Sequence, residues 1–334
     1  MSLKITKYSK KSDHLLKIKN NFFLNNSKLL NGVLKENKLY TSQNKRLGCK
    51  NCGYSKIEED FTSFGVKYGI CKKCGHINGL YEDSEKFVNY LYSASDGDNY
   101  KENYLKDYDE RVKTIYIPKV NFLSEVIKEK YYINDIGCGG GHFVKACEDL
   151  GIKAEGIDTN KSLIELGMTK LKSNKIILAD INSFENYIRE STSVVSMIGV
   201  LEHLREPHKA LESFIESKAS YLYISVPLFS LSVFIEHVFP DVFPRHLRGP
   251  HTHLYTEVSL DYLTKKYNLE IVGEWWFGLD FMDLYRSLKT KMEGSKQFYS
   301  LLDTILGENI DDLQNVLDKK KVCSEVHLVL KKSS

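Results

Sequence analysis

The segment Tyr131-Tyr132-Ile133-Asn134-Asp135-Ile136-Gly137-Cys138-Gly139-Gly140-Gly141-His142-Phe143 leaves the chain few ways to fold. An apolar strand runs into an acidic residue and then a glycine-dense turn. Phe143, Ala146, Cys147 and Leu150 follow at helical spacing. Gly137, Gly139 and Gly141 carry no Cβ, so the main chain can turn tightly and a ligand can lie against it. Strand, glycine loop and helix N-terminus together predict a nucleotide cradle at the carboxyl edge of a parallel sheet. Two glycine patterns do not fit. A dinucleotide fingerprint, G-x-G-x-x-G/A, counted from Gly137 places its third small residue at His142. A phosphate loop needs a Lys after its glycines, and none follows. What remains is Asp-x-Gly-x-Gly-x-Gly.

The following stretches repeat one theme. Lys153–Asp158 reads as a second strand ending in an acid, and Asp158 lies 21 residues beyond Gly137. A carboxylate at that distance can accept hydrogen bonds from both hydroxyls of a ribose. Lys175–Asp180 is a third strand, again ending in an acid. Val194–Leu204 reads as a fourth strand with the exit loop Leu201-Glu202-His203-Leu204, and Tyr221–Pro227 as a fifth. In this order the motifs resemble those of class I S-adenosylmethionine (SAM) methyltransferases, over roughly residues 118–334. The resemblance implies an α/β fold, a Rossmann-like seven-stranded sheet with helices on both faces. It also implies cofactor contacts from Asp135, Gly137, Gly139, Gly141, Asp158, Asp180, Ile181 and Glu202.

Upstream, Cys49, Cys52, Cys71 and Cys74 form C-x2-C-x18-C-x2-C, with Gly53 and Gly75 after each pair. Two matched knuckles suit tetrahedral zinc rather than a redox pair. Four thiolates leave no open position, so the metal is expected to be structural. In such small modules it supplies roughly 10–16 kcal/mol of folding energy at neutral pH.

The 334 residues exceed one typical domain, and the 42% apolar fraction is enough for a packed core. Spacing and composition mark off a basic polar arm (1–45), a zinc ribbon (46–82) and a Tyr-rich helical linker or lid (83–117), and the resemblance implies a SAM-dependent methyltransferase domain over 118–334. Tyr100, Tyr104 and Tyr108 share one helical face, which favours packing against the catalytic domain over a lid. The three remaining cysteines, Cys138, Cys147 and Cys323, form no even disulfide framework, so a reducing cytoplasm fits. The longest uncharged run, Ala219 to Ile235, is too short to span a bilayer and reads as a buried strand followed by an apolar loop. Net charge is +3, too small to call for a polyanion. Through Arg46, eleven Lys and Arg stand against Asp13 and Glu36, a bias that Lys- and Asn-rich composition accounts for. Oligomeric state is not legible.

Methyl transfer to a hydroxyl needs an aligned nucleophile and a proton acceptor. Histidine suits that role near neutrality, and the candidates are His203, His251 and His253. Ubiquinone-biosynthesis O-methyltransferases carry Glu-x-x-Glu-His at the fourth strand and use carboxylates there to hold a divalent ion. Here Gly199 replaces the first Glu while Glu202 and His203 remain, so the resemblance does not extend to that metal-dependent mechanism. Gly199-Val200-Leu201-Glu202 stands where amino-group enzymes carry [Asn/Asp]-Pro-Pro-Tyr, and no Cys nucleophile for cytosine lies in the loops after the fourth and fifth strands, which disfavours nucleic-acid bases. The reading is O-methylation of a small polar acceptor, such as a sugar, nucleotide sugar or surface-glycan precursor. The alternatives are an RNA- or ribosome-directed enzyme gripping phosphate with ribbon and arm, and a sugar C-methyltransferase.

Overall fold

In the computed structural model the described residues are 4–12, 25–93, 107–172, 175–249 and 251–333. The strands are β1 (Ile5–Tyr8), β2 (Phe61–Ser63), β3 (Val66–Ile70), β4 (Ile77–Gly79), β5 (Tyr132–Ile136), β6 (Lys153–Asp158), β7 (Ile176–Leu178), β8 (Val194–Ile198), β9 (Tyr221–Pro227), β10 (His253–Leu254), β11 (Leu269–Phe277) and β12 (Glu325–Lys332). Eight of them form one sheet in the order β1-β11-β12-β9-β8-β5-β6-β7. β5 to β9 pair in parallel, and β12 runs antiparallel between β9 and β11. Central strands such as Val194–Ile198 are apolar almost throughout because helices cover both faces of a parallel sheet. One core layer joins Leu211 and Phe214 to Val195, Leu222 and Leu328. The other joins Phe122, Phe143 and Cys147 to Ile133, Tyr223 and Trp275.

The seven expected strands are joined by an eighth. β1, from the arm, adds in parallel to β11 with Ile5 opposite Gly273. The arm's basic residues are partly used internally: Lys4 pairs with Glu274 at 3.1 Å, and the Lys7 ammonium lies 4.7 Å from the Trp275 ring centroid. A helix, Asn26–Thr41, follows. The apolar loop expected after the fifth strand is instead the helix Leu231–Val238. Ser230 caps it by accepting from the Ser232 N–H, which turns an apolar run into a helix start. None of the described helices is long and apolar enough to cross a membrane.

The Cys-rich segment builds a four-stranded antiparallel sheet in the order β10-β4-β3-β2. Its outer strand, β10, comes from the loop beyond β9, with His253 opposite Asn78. The long connection between β11 and β12 holds the helices Asp280–Lys291, Lys296–Ile305 and Ile310–Lys319. Residues 83–117 hold the helix Glu85–Ser93, then Tyr108–Arg111 running through a π-turn, Val112–Tyr116, into Ile117–Val126. Tyr100 and Tyr104 lie outside the described residues. Tyr108 is buried, donates to the Gly140 carbonyl at 2.9 Å and stacks on His142 with centroids 4.0 Å apart.

Candidate active site

The carboxyl ends of β5, β6 and β8 bring most of the expected residues together. Gly137 and Gly139 have φ of +71° and +53°, a region open to glycine at no steric cost. A Cβ on Gly137 would sit 2.7 Å from Val200 Cγ2, so the glycine loop and the loop after β8 touch. A Cβ on Gly139 would meet only Leu163 Cδ1, at 3.8 Å, which leaves that side of the loop open. Gly141, with φ of +70°, begins the helix His142–Asp149.

Asp158 is fixed by the main chain: Oδ2 accepts from Gly139 N at 2.8 Å and Oδ1 from Asn160 N at 2.7 Å. Burial still pushes its carboxyl above the usual value. Asp135 is buried, and Ser196 Oγ donates to its Oδ1 at 2.7 Å. Burial pushes Asp135 up to about 7, helped by the nearby Asp158 charge. Asp180 stands exposed just past β7, and Ile181 opens the short helix Ile181–Tyr187.

Glu202 and His203 lie on a one-turn helix, Leu201–His203, immediately after β8. Glu202 is buried, and burial pushes its carboxyl up to about 8. His203 Nε2 is 3.9 Å from Glu202 Oε1, and the His203 and His251 rings are 4.8 Å apart. The three expected histidines therefore separate into a pair and a single. His251 joins His203, while His253 turns into the Cys-rich sheet, fully buried, with its Nδ1 2.8 Å from His76 Nε2. His251 ends a turn closed by its own N donating to Arg248 O at 2.7 Å, and His253 follows as the first residue of β10. Burial holds both His251 and His253 well below the usual imidazole range.

Reasoning from the sequence missed Lys119. It is buried in the helix Ile117–Val126, its ammonium 5.1 Å from the Tyr116 ring centroid, and its charge acts on Glu325, Asp135 and Glu202. Burial lowers its pKa. A Lys between Pro118 and Val120 carries no periodic signal that would mark it.

Cys49, Cys52, Cys71 and Cys74 bring their sulfurs within 4.8 Å of one another. Cys49 and Cys74 are 3.6 Å apart, and Cys52 and Cys71 are 3.5 Å apart. Zinc–sulfur bonds of about 2.3 Å require tetrahedral edges of ~3.8 Å, so the set fits such an ion closely. Asn78 Nδ2 donates to Cys49 Sγ and Asn51 Nδ2 to Cys74 Sγ, as outer partners of thiolates do.

A family model described as a methyltransferase domain matches residues 108–274, half of the chain. The chain belongs to that family and is a SAM-dependent methyltransferase of class I fold. Among solved structures it resembles a SAM-dependent methyltransferase from Archaeoglobus fulgidus, at 18% identity over 75% of this chain and 100% of that one, TM-score 0.40. It also resembles magnesium protoporphyrin IX methyltransferase from Synechocystis PCC 6803 with bound SAH, at 12% identity over 75% and 100%, TM-score 0.46. A plantazolicin methyltransferase in complex with a triazolic desmethylPZN analog and SAH aligns at 16% identity over 74% and 94%, TM-score 0.44. No curated protein matches.

Proposed function

We propose that this enzyme methylates a hydroxyl of a small polar acceptor, of the sugar or nucleotide-sugar kind. SAM supplies an electrophilic methyl on its sulfonium. In this reading Asp158 receives the ribose hydroxyls, with Asp180 and Ile181 beside the adenine. Asp135, Gly137, Gly139, Gly141 and Glu202 line the remaining length of the cofactor. The four cysteines hold a structural zinc, and the ribbon they form is a module docked on the catalytic domain.

The observation that carries the reading is the cluster of Glu202, His203 and His251, the first two on the turn after β8 whose Val200 packs against Gly137 of the glycine loop. A hydroxyl must lose its proton as it takes the methyl. The His251 imidazole, held below its usual range by burial, the His203 ring beside it and the buried Glu202 carboxyl are a set that eases that loss. His253, tied to His76, holds the ribbon instead. Replacing a group of this kind costs ~10²–10⁴ in rate. His203→Ala and His251→Ala are therefore expected to lower kcat by that order at unchanged SAM affinity, assayed by methyl transfer to a panel of sugars and nucleotide sugars. Near wild-type turnover in both variants would reopen the hydroxyl assignment.

A further inference from the structure

Glu202, His203 and His251 each offer one ligand atom, and the three atoms lie within 4.8 Å of one another. Glu202 and His203 come from the turn after β8, and His251 arrives from the loop that leads into β10. Glu202 Oε2 is buried and has no hydrogen-bond partner among the described residues. A carboxylate in that state is costly without a cation or a proton. His251 Nδ1 lies 3.0 Å from the His246 carbonyl, so Nδ1 carries the hydrogen and Nε2 keeps its lone pair. A backbone carbonyl fixing the far nitrogen is the arrangement that orients a metal-ligating imidazole. At Gly199 a Cβ would lie 3.7 Å from Glu202 Oε1 and meet nothing nearer, so the space beside that oxygen is open.

We propose that Glu202, His203 and His251 form a second metal site, distinct from the four cysteines, which takes one divalent transition ion. Two imidazoles and one carboxylate are a three-ligand set that leaves further positions open. The two imidazoles suit zinc, iron, copper or nickel, and the carboxylate lets manganese enter as well. Bonds of ~2.1 Å would draw the ligand atoms to about 3.0–3.5 Å apart. The open positions suit a hydroxyl oxygen of the acceptor. The O–H bond breaks, with its proton leaving to water. The oxygen then forms the new bond to the methyl carbon, and the carbon–sulfur bond breaks with its electron pair returning to sulfur. This role rests on the hydroxyl-acceptor reading above; the existence of the site does not.

The test is a manganese titration of the full-length protein, followed by electron paramagnetic resonance without SAM or acceptor. Manganese leaves thiolate sites to softer ions, so the four cysteines do not contribute. One manganese per chain is expected. Glu202→Gln, His203→Ala and His251→Ala should each weaken it about tenfold or more. His203 has a side chain 25% exposed, so its variant is the one least exposed to misfolding, and circular dichroism with thermal melting checks the fold of all three. Failure to bind manganese or added zinc beyond the ribbon's share overturns the proposal, as does binding unchanged in the His203 variant. If no ion binds yet the histidine variants lose methyl transfer, the acceptor reading stands and the metal site falls. If the ion binds and the variants turn over normally, the site stands and the acceptor reading falls.

Discussion

Asp135 closes β5 with its carboxyl buried and held by one hydroxyl, that of Ser196. Burial raises it from 3.8 to about 7, so the folded protein disfavours the ionised form. The sign is opposite to that of an ion-paired acid. Its contribution to stability is fully present below the ordinary carboxylate range and is lost as pH rises through about 7. The loss amounts to roughly 4 kcal/mol at most. Asp135→Asn keeps the shape without the charge. It is expected to melt above wild type at pH 8, with the gain gone by about pH 4, as differential scanning calorimetry would read. A variant no more stable at the higher pH would mean the carboxylate is not strained there. The sequence showed an acid before the glycines, and its position was correct. It could not show Ser196, 61 residues away, or the depth of burial, because both depend on β8 pairing with β5. The same limit hid Lys119, which no local pattern distinguishes from a surface lysine.

The ribbon and β10 act as one element. Gly79 N donates to Thr252 O at 2.8 Å, Thr256 Oγ1 to Gly75 O at 3.2 Å, and Asn51 Nδ2 to Ser259 O at 2.9 Å. His208 Nε2 adds a contact to Asn51 O at 2.7 Å. These bonds place residues adjoining the cysteines against the segment directly after His251. Cys49→Ser is therefore expected to lose its metal by elemental analysis and to free that segment. kcat should fall at least tenfold while SAM affinity stays within about threefold, since the glycine loop makes none of these bonds. Unchanged kcat in metal-free protein would separate the ribbon from catalysis. Both Cys knuckles were legible because spacing and glycine encode them locally. β10 was not, since a two-residue strand has no period to read. The three histidines looked equivalent in sequence because His251 meets His203, and His253 meets His76, only through contacts between distant segments.

Across the whole molecule, β5, β6 and β7 were legible from the repeated strand-acid-turn pattern, and β8 and β9 from their apolar runs. The added strand β1 was not: Ile5–Tyr8 is only four residues long, and its place depends on β11 offering a free edge. Once there it covers that edge and is tied down at several points. Thr6 Oγ1 donates to Glu274 at 3.0 Å, Trp275 Nε1 to Ser9 O at 3.0 Å, and Ser12 N to Asp311 Oδ1 at 3.1 Å. Removing residues 1–12 would expose β11 as an open edge. With about 1 kcal/mol per lost bond, Tm should fall by roughly 5–10 °C and light scattering should rise on concentration. A truncated protein as stable and monodisperse as the full chain would show the strand to be dispensable.

That edge strand also has a bearing on synthesis. Thr6 and Glu274 are 268 positions apart, and His76 and His253 are 177 apart. At about 5–20 residues per second, the ribbon waits roughly 10–35 s for its outer strand, and β1 waits longer still. The earliest segments off the ribosome are among the last to find their places. A chain halted before residue 250 would carry cysteine knuckles able to capture metal, yet two unsatisfied sheet edges, and would present itself to chaperones as unfinished.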